Sequence, residues 1–130
     1  MAERHALLIE SNPALARTYS GYLRDTAWRV TAVGTVADAV ALLRERRPSV
    51  IVLDLRTPDM AGFEAIAAIQ GVAAGTPLIA IASEGSVGVA VDVMRRGAQD
   101  FLVKPFSETR FCAALDDAFA ANETESAAAP

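Results

Sequence analysis

The chain has 130 residues, a net charge of −4, one cysteine, and 52% hydrophobic against 22% charged residues. That balance supports one buried core and excludes a disordered chain, an internal disulfide and a multi-thiolate metal site. The arginines are scattered near expected helix ends (Arg44, Arg46 and Arg47; Arg95 and Arg96) and form no basic patch, which argues against direct nucleic-acid binding.

In chain order, Ala6-Leu7-Leu8-Ile9 is a short continuous apolar run, as suits a parallel strand covered on both faces. Asn12 predicts a helix cap, with Pro13 at the first helical position, where a missing N–H costs nothing. Leu15, Tyr19 and Tyr22 or Leu23 supply that helix's apolar stripe. From Trp28 to Val33, Arg29 and Thr31 interrupt Trp28, Val30 and Ala32, the alternation of an edge strand with one wetter face. Thr35, followed by Asp38, resembles a capping box ahead of a helix that buries Val36, Val40 and Leu43.

Val50-Ile51-Val52-Leu53 is the next covered strand. Phe63, Ile66 and Ile69 or Gln70 mark a third helix, stopped near Gly71, and Leu78-Ile79-Ala80-Ile81 a fourth strand. Val87, Val91 and Met94 mark a fourth helix, stopped at Gly97. Phe101-Leu102-Val103 is a fifth, shorter strand, and Ser107 caps a fifth helix with Phe111, Leu115 and Phe119 facing inward. The methionine and aromatic positions are expected in the core, and Cys112 as a buried small hydrophobe. Residues 122–130 are polar and Ala-rich without periodicity, so a frayed end or the start of a linker is expected there, leaving residues 5–121 as the domain. No apolar run approaches a membrane span, and the polar start, Met1 to His5, lacks a following signal-peptide core, so a cytoplasmic protein with no membrane partner is expected.

Five strand–helix alternations with short loops imply right-handed crossovers and an α/β fold: a doubly wound parallel sheet with helices on both faces. Three charged residues fall where apolar runs stop: Glu10 after the first strand, Asp54 after the third, Lys104 after the fifth. A carboxylate directly after Val-Ile-Val-Leu is costly to bury unpaired, so these groups belong at the carboxyl edge of the sheet, where open α/β folds keep their ligand crevice. In a strand order of 2-1-3-4-5, Glu10 and Asp54 meet at the switch point.

The chemistry open to that site is narrow. The chain has no G-x-G-x-x-G and no G-x-x-x-x-G-K phosphate loop. His5 has no Cys or His partners for a metal and reads as a surface histidine; Ser11 and Ser83 lack a nearby histidine, so no hydrolase triad forms. A carboxylate pair and a lysine remain. Carboxylates can hold Mg²⁺, and one can attack phosphorus as a nucleophile, with metal and lysine offsetting charge on the transferring group.

Residues 50–62, Val-Ile-Val-Leu-Asp-Leu-Arg-Thr-Pro-Asp-Met-Ala-Gly, resemble the acceptor segment of response regulator receiver domains, including Pro58 and Gly62. Phe101-Leu102-Val103-Lys104-Pro105-Phe106 is similar to that family's lysine–proline ending, typically a cis peptide, and Gly97 to Asp100 leads into it as the family usually does. The resemblance covers about residues 5–121 and implies the flavodoxin-like receiver fold, five strands in order 2-1-3-4-5. It implies Asp54 as phosphoryl acceptor, Lys104 as phosphoryl contact, and Mg²⁺ held by Glu10, Asp54 and the backbone carbonyl of Arg56, with Phe101 as the aromatic switch residue. It implies a sensor histidine kinase or phosphotransfer protein as donor, an effector domain or partner protein as output with transcription regulation among the outcomes, and homodimerisation through the face of the fourth helix, fifth strand and fifth helix.

Two positions depart from the pattern. Ser11 stands where the family carries its second acid, the direct metal ligand, so Mg²⁺ is expected to bind weakly, with Asn12 or a water as partial substitute. Ala82 stands where the family has Thr or Ser, and Ser83 beside it points elsewhere along the strand. Three readings follow: a working phospho-receiver with altered switching; a degenerate receiver that regulates by binding alone; and a flavodoxin-like cofactor binder, which Glu10-Ser11-Asn12-Pro13 disfavours for want of glycines. Under the first two the chain is a signalling module and not a turnover enzyme.

Overall fold

The computed structural model describes residues 4–128, with side chains through Thr124. Residues 1–3, which belong to the polar start, and residues 129 and 130 of the expected tail lie outside the described residues. The elements alternate as β1 (Arg4–Ile9), α1 (Pro13–Tyr22), β2 (Trp28–Val33), α2 (Val36–Glu45), β3 (Val50–Asp54), α3 (Gly62–Val72), β4 (Leu78–Ala82), α4 (Val87–Arg95), β5 (Asp100–Val103) and α5 (Glu108–Ala128). All strand pairs are parallel, in the order β2-β1-β3-β4-β5.

The alternation of side chains along each strand divides the interior into two layers. Leu7, Ile9, Ile51, Leu53, Leu78 and Ala80 face α2, α3 and Val93 of α4. Ala6, Leu8, Val50, Val52, Ile79 and Ile81 face α1 and α5, where the aromatic residues Tyr19, Trp28 and Phe111 are packed. Burial on both sides explains why β1, β3 and β4 carry continuous apolar runs, whereas β2 at the edge alternates.

Helix starts follow the expected chemistry. Oδ1 of Asn12 accepts from Ala14 N–H and Leu15 N–H at 2.9 and 3.2 Å. Thr35 Oγ1 accepts from Asp38 N–H at 3.1 Å, and Ser107 Oγ from Arg110 N–H at 3.0 Å. Gly97 ends α4 with a φ of 101°.

The third helix ends at Val72, next to Gly71 as expected, and a left-handed turn follows at Gly75 with φ 87°. Three expectations need correction. In α4 the buried residue is Val93, whereas Val87, Val91 and Met94 are 81%, 40% and 45% exposed. Periodicity located an apolar stripe there, but among the described residues no neighbouring element covers it, so Met94 is not core. The fifth helix does not fray at Asn122 and continues to Ala128, because alanine-rich sequence propagates a helix already docked by Phe111, Leu115 and Ala118. His5 is half-buried in β1, its Nε2 2.8 Å from Thr31 Oγ1.

Candidate functional site

Strand register brings the charged residues together. Ile9 pairs with Leu53, so Glu10 and Asp54, one residue further on, leave neighbouring strands at the same level. Glu10 N–H donates to Val33 O at 3.0 Å, and Leu55 N–H to Ile81 O at 2.8 Å, which carries the sheet's hydrogen bonding to the edge of the crevice. On the far side Lys104 N–H donates to Ala82 O at 2.9 Å, aiming the lysine from β5 back across β4. The peptide between Lys104 and Pro105 is cis. Phe106, next in sequence, lies between Tyr19 and Phe111 at ring-centroid distances of 4.9 and 5.6 Å.

Glu10 and Asp54 are the buried charged residues of the described core, 5% and 2% exposed. Their burial is compensated by one cation: Lys104 Nζ lies 3.0 Å from Glu10 Oε1 and 2.5 Å from Asp54 Oδ2. Backbone groups take the remaining oxygens, with Asn12 N–H donating to Glu10 Oε2 at 3.2 Å and Arg56 N–H to Asp54 Oδ1 at 2.8 Å. Burial raises the pKa of Glu10 above its ordinary value, and the neighbouring Asp54 adds to this against the pull of Asn12 N–H and Lys104. Burial alone would lower Lys104, but its hydrogen bonds to Asp54 and Glu10 outweigh that and raise it.

The other expected residues divide between the crevice and its support. Ser11 is exposed, and its Oγ donates to the Arg56 carbonyl at 3.5 Å, so hydroxyl and carbonyl adjoin each other beside the carboxylates. Asn12 cannot readily stand in for the missing acid, because its side-chain oxygen is committed to capping α1. Ala82 is buried at the end of β4 and carries no hydroxyl, and Ser83 is exposed. Phe101 is half-buried against the layer of α2 and α3. Pro58 is exposed in the loop after β3, and Gly62 is seated so tightly on that loop that an added Cβ would meet Leu55 O at 2.9 Å. Cys112 is half-buried, its Sγ 3.4 Å from Tyr22 O, and burial pushes its thiol pKa up.

The donors around the crevice are all oxygens: two carboxylates, a backbone carbonyl and a hydroxyl. That set suits Mg²⁺, which prefers oxygen ligands and keeps part of its water shell. Among the described residues no third His, Cys, Asp or Glu completes a metal cluster, so the charge available to a divalent ion is low.

One residue that sequence reasoning missed also belongs here. Asp59, in the loop after β3, accepts Val36 N–H on Oδ1 and Ala37 N–H on Oδ2, each at 3.0 Å. These bonds hold its carboxyl below the ordinary aspartate range. Its partners are backbone groups remote in sequence, which no residue pattern advertises.

A buried carboxylate pair bridged by a lysine thus lies at the switch point of a doubly wound parallel sheet. The chain belongs to the response regulator receiver domain family, whose model matches residues 6–116. It is 36% identical over 111 residues to the regulatory protein LuxO of Vibrio vulnificus, covering 85% of this chain and 24% of that protein. It is also 32% identical over 101 residues to the probable transcriptional regulatory protein TcrX of Mycobacterium tuberculosis, covering 78% and 43%. Among solved structures, the signal receiver domain assigned to a LuxO repressor protein of Vibrio parahaemolyticus superposes with a TM-score of 0.92 at 29% identity, covering 99% of each chain. The chain thus spans about a quarter of the LuxO relatives it matches. Receiver domains of this family interact with histidine kinases and effector domains and generally use Mg²⁺ at the acceptor site; some of the relatives are transcriptional regulators. No described helix is long and apolar enough to cross a membrane.

Proposed function

We propose that this chain receives a phosphoryl group on Asp54 from a phosphohistidine of a sensor kinase or phosphotransfer protein, in the cytoplasm, and passes its state to an effector domain or partner protein, with transcription as the output class. The observation that carries this reading is the buried Asp54 carboxylate under the Lys104 ammonium, with Glu10 alongside. In the transfer, a carboxylate oxygen of Asp54 forms a new P–O bond while the P–N bond to the donor imidazole breaks. The departing ring nitrogen takes the bonding pair and a proton. Lys104 follows the charge onto the phosphoryl oxygens, and the Arg56 amide holds the other carboxylate oxygen in place. Asp54, Glu10, the Arg56 carbonyl and, weakly, Ser11 would hold Mg²⁺, which would supply further charge compensation. Each chain takes one phosphoryl group per signalling event, so the domain acts stoichiometrically and not as a turnover enzyme.

Incubation with a small acyl phosphate and Mg²⁺ tests the reading. An intact-mass gain of one phosphoryl group, lost in Asp54→Ala, is expected. No gain at any Mg²⁺ concentration favours the second reading, a receiver that signals by binding alone. Ala82 without a hydroxyl and Ser11 without a carboxylate are the observations on its side. The exposed apolar face of Val87, Val91, Met94 and Val103 supports self-association through α4, β5 and α5. A solution mass equal to one chain, with and without phosphodonor, would remove that part.

A further inference from the structure

We propose that Asp59 couples the acceptor loop to the start of α2, positioning the loop for Asp54 and making the first turn of α2 a sensor of the acceptor. The significance of this coupling for signalling rests on Asp54 being the acceptor; the coupling itself does not.

The loop from Leu55 to Ala61 is tied at both ends. At its start, Arg56 N–H donates to Asp54 Oδ1 at 2.8 Å, and the Arg56 carbonyl accepts from Ser11 Oγ. At its end, the backbone of Gly62 is packed onto Leu55, where an added Cβ would lie 2.9 Å from the carbonyl oxygen and 3.0 Å from Leu55 Cβ. Between them, Thr57 Oγ1 donates to the Met60 carbonyl, closing the loop on itself. The side chain that ties this compact turn to α2 by hydrogen bonds is Asp59, which takes the two N–H groups at the N-terminus of α2 with its two carboxylate oxygens.

Those two N–H groups belong to the first turn, where no helical carbonyl is available to them. Thr35, the residue at the cap, serves only Asp38 N–H. The start of α2 is therefore completed by a residue five positions beyond Asp54 in sequence, not by its own cap. Because the contact is bidentate, a small rotation of the loop that keeps one oxygen in place must withdraw the other. A change at Asp54 Oδ1 that releases or turns the Arg56 amide is thereby felt at Val36 and Ala37. By linkage the reverse also holds, so a partner that grips the start of α2 alters how Arg56 is presented to Asp54. This route bypasses Ala82, whose side chain can make no hydrogen bond.

The test needs neither metal nor phosphodonor, so it can fail while phosphorylation of Asp54 stands, and succeed where phosphorylation is absent. Backbone amide shifts and exchange rates of Val36 and Ala37 are measured by NMR in the wild type, Asp54→Ala, Asp59→Ala and the double variant. Asp54→Ala removes the acceptor of the Arg56 amide. It is expected to move both α2 resonances and to speed their exchange about threefold or more, the scale of a lost capping bond. In the Asp59→Ala background the same Asp54 substitution is expected to leave them unmoved. Val36 and Ala37 unchanged by Asp54→Ala, or changed equally in both backgrounds, would overturn the proposal. If Asp54→Ala does not fold, Asp54→Leu, which also lacks the acceptor oxygen but fills the pocket, takes its place in the same four-way comparison.

Discussion

Nζ of Lys104 lies 3.0 Å from Oε1 of Glu10, so the residue that follows the last strand closes on the residue that follows the first, 94 positions away. This contact and its twin to Asp54 leave two buried carboxylates dependent on one ammonium.

Truncating Lys104 should therefore be severe. Lys104→Ala is expected to cost about 3 kcal/mol at neutral pH, the usual scale for stripping the partner from buried charges. The deficit should shrink under mildly acidic conditions. Glu10 already has a raised pKa, so the folded state binds its proton more readily than the unfolded chain, and the penalty of its charge fades as pH falls through that raised value. Urea denaturation at the two pH values measures this; an equal deficit at both would contradict it.

Ser11 offers a complementary gain. Ser11→Asp adds a carboxylate beside Glu10, Asp54 and the Arg56 carbonyl, and Mg²⁺ affinity measured by calorimetry should rise about tenfold or more, the equivalent of about 1.4 kcal/mol left after desolvation. Without metal the same substitution should lower the melting temperature, since it crowds a third negative charge around one lysine. Unchanged affinity would show that Ser11 does not face the metal position.

Two glycines of α3 should respond with opposite signs. Gly62→Ala pushes a methyl group against the Leu55 carbonyl, with a cost of about 1–3 kcal/mol. Gly71 lies within the helix with nothing within 4 Å of its would-be Cβ, so Gly71→Ala should stabilise by about 0.5–1 kcal/mol. Equilibrium denaturation of both variants decides it.

The Asp59 contact should be visible in the pH dependence of stability. Its folded-state pKa is depressed by Ala37 N–H and Val36 N–H, so its contribution is fully present above the ordinary aspartate value of 3.8 and is lost as pH falls through the lower folded value. Thermal melts of wild type and Asp59→Asn should differ by a constant amount at neutral pH and converge in acid. Parallel curves down to the lowest accessible pH would rule the contact out as a charged cap.

Much of this architecture is legible in the residues because burial on both faces writes itself into β1, β3 and β4 as unbroken apolar runs. A charge at the end of such a run is conspicuous, which is how Glu10, Asp54 and Lys104 stand out. Other features have no such signature. An apolar stripe at helical spacing marks α4 but does not reveal whether another element covers it, and Val93, not Met94, turns inward. Asp59 reads as one more polar loop residue, because its partners are main-chain groups whose position depends on the whole fold.

The division of the interior has a practical corollary for spectroscopy. The single tryptophan and both tyrosines pack on the α1 and α5 side of the sheet, whereas Asp59 and the start of α2 lie toward the other layer. Indole and phenol signals will report on the α1 and α5 half of the molecule and say little about motion in the other half, whose aromatic residues are Phe63 and Phe101. A flat optical signal on adding metal or phosphodonor is no sign of an inert domain; probes placed on α2 or α4 are needed to see it respond.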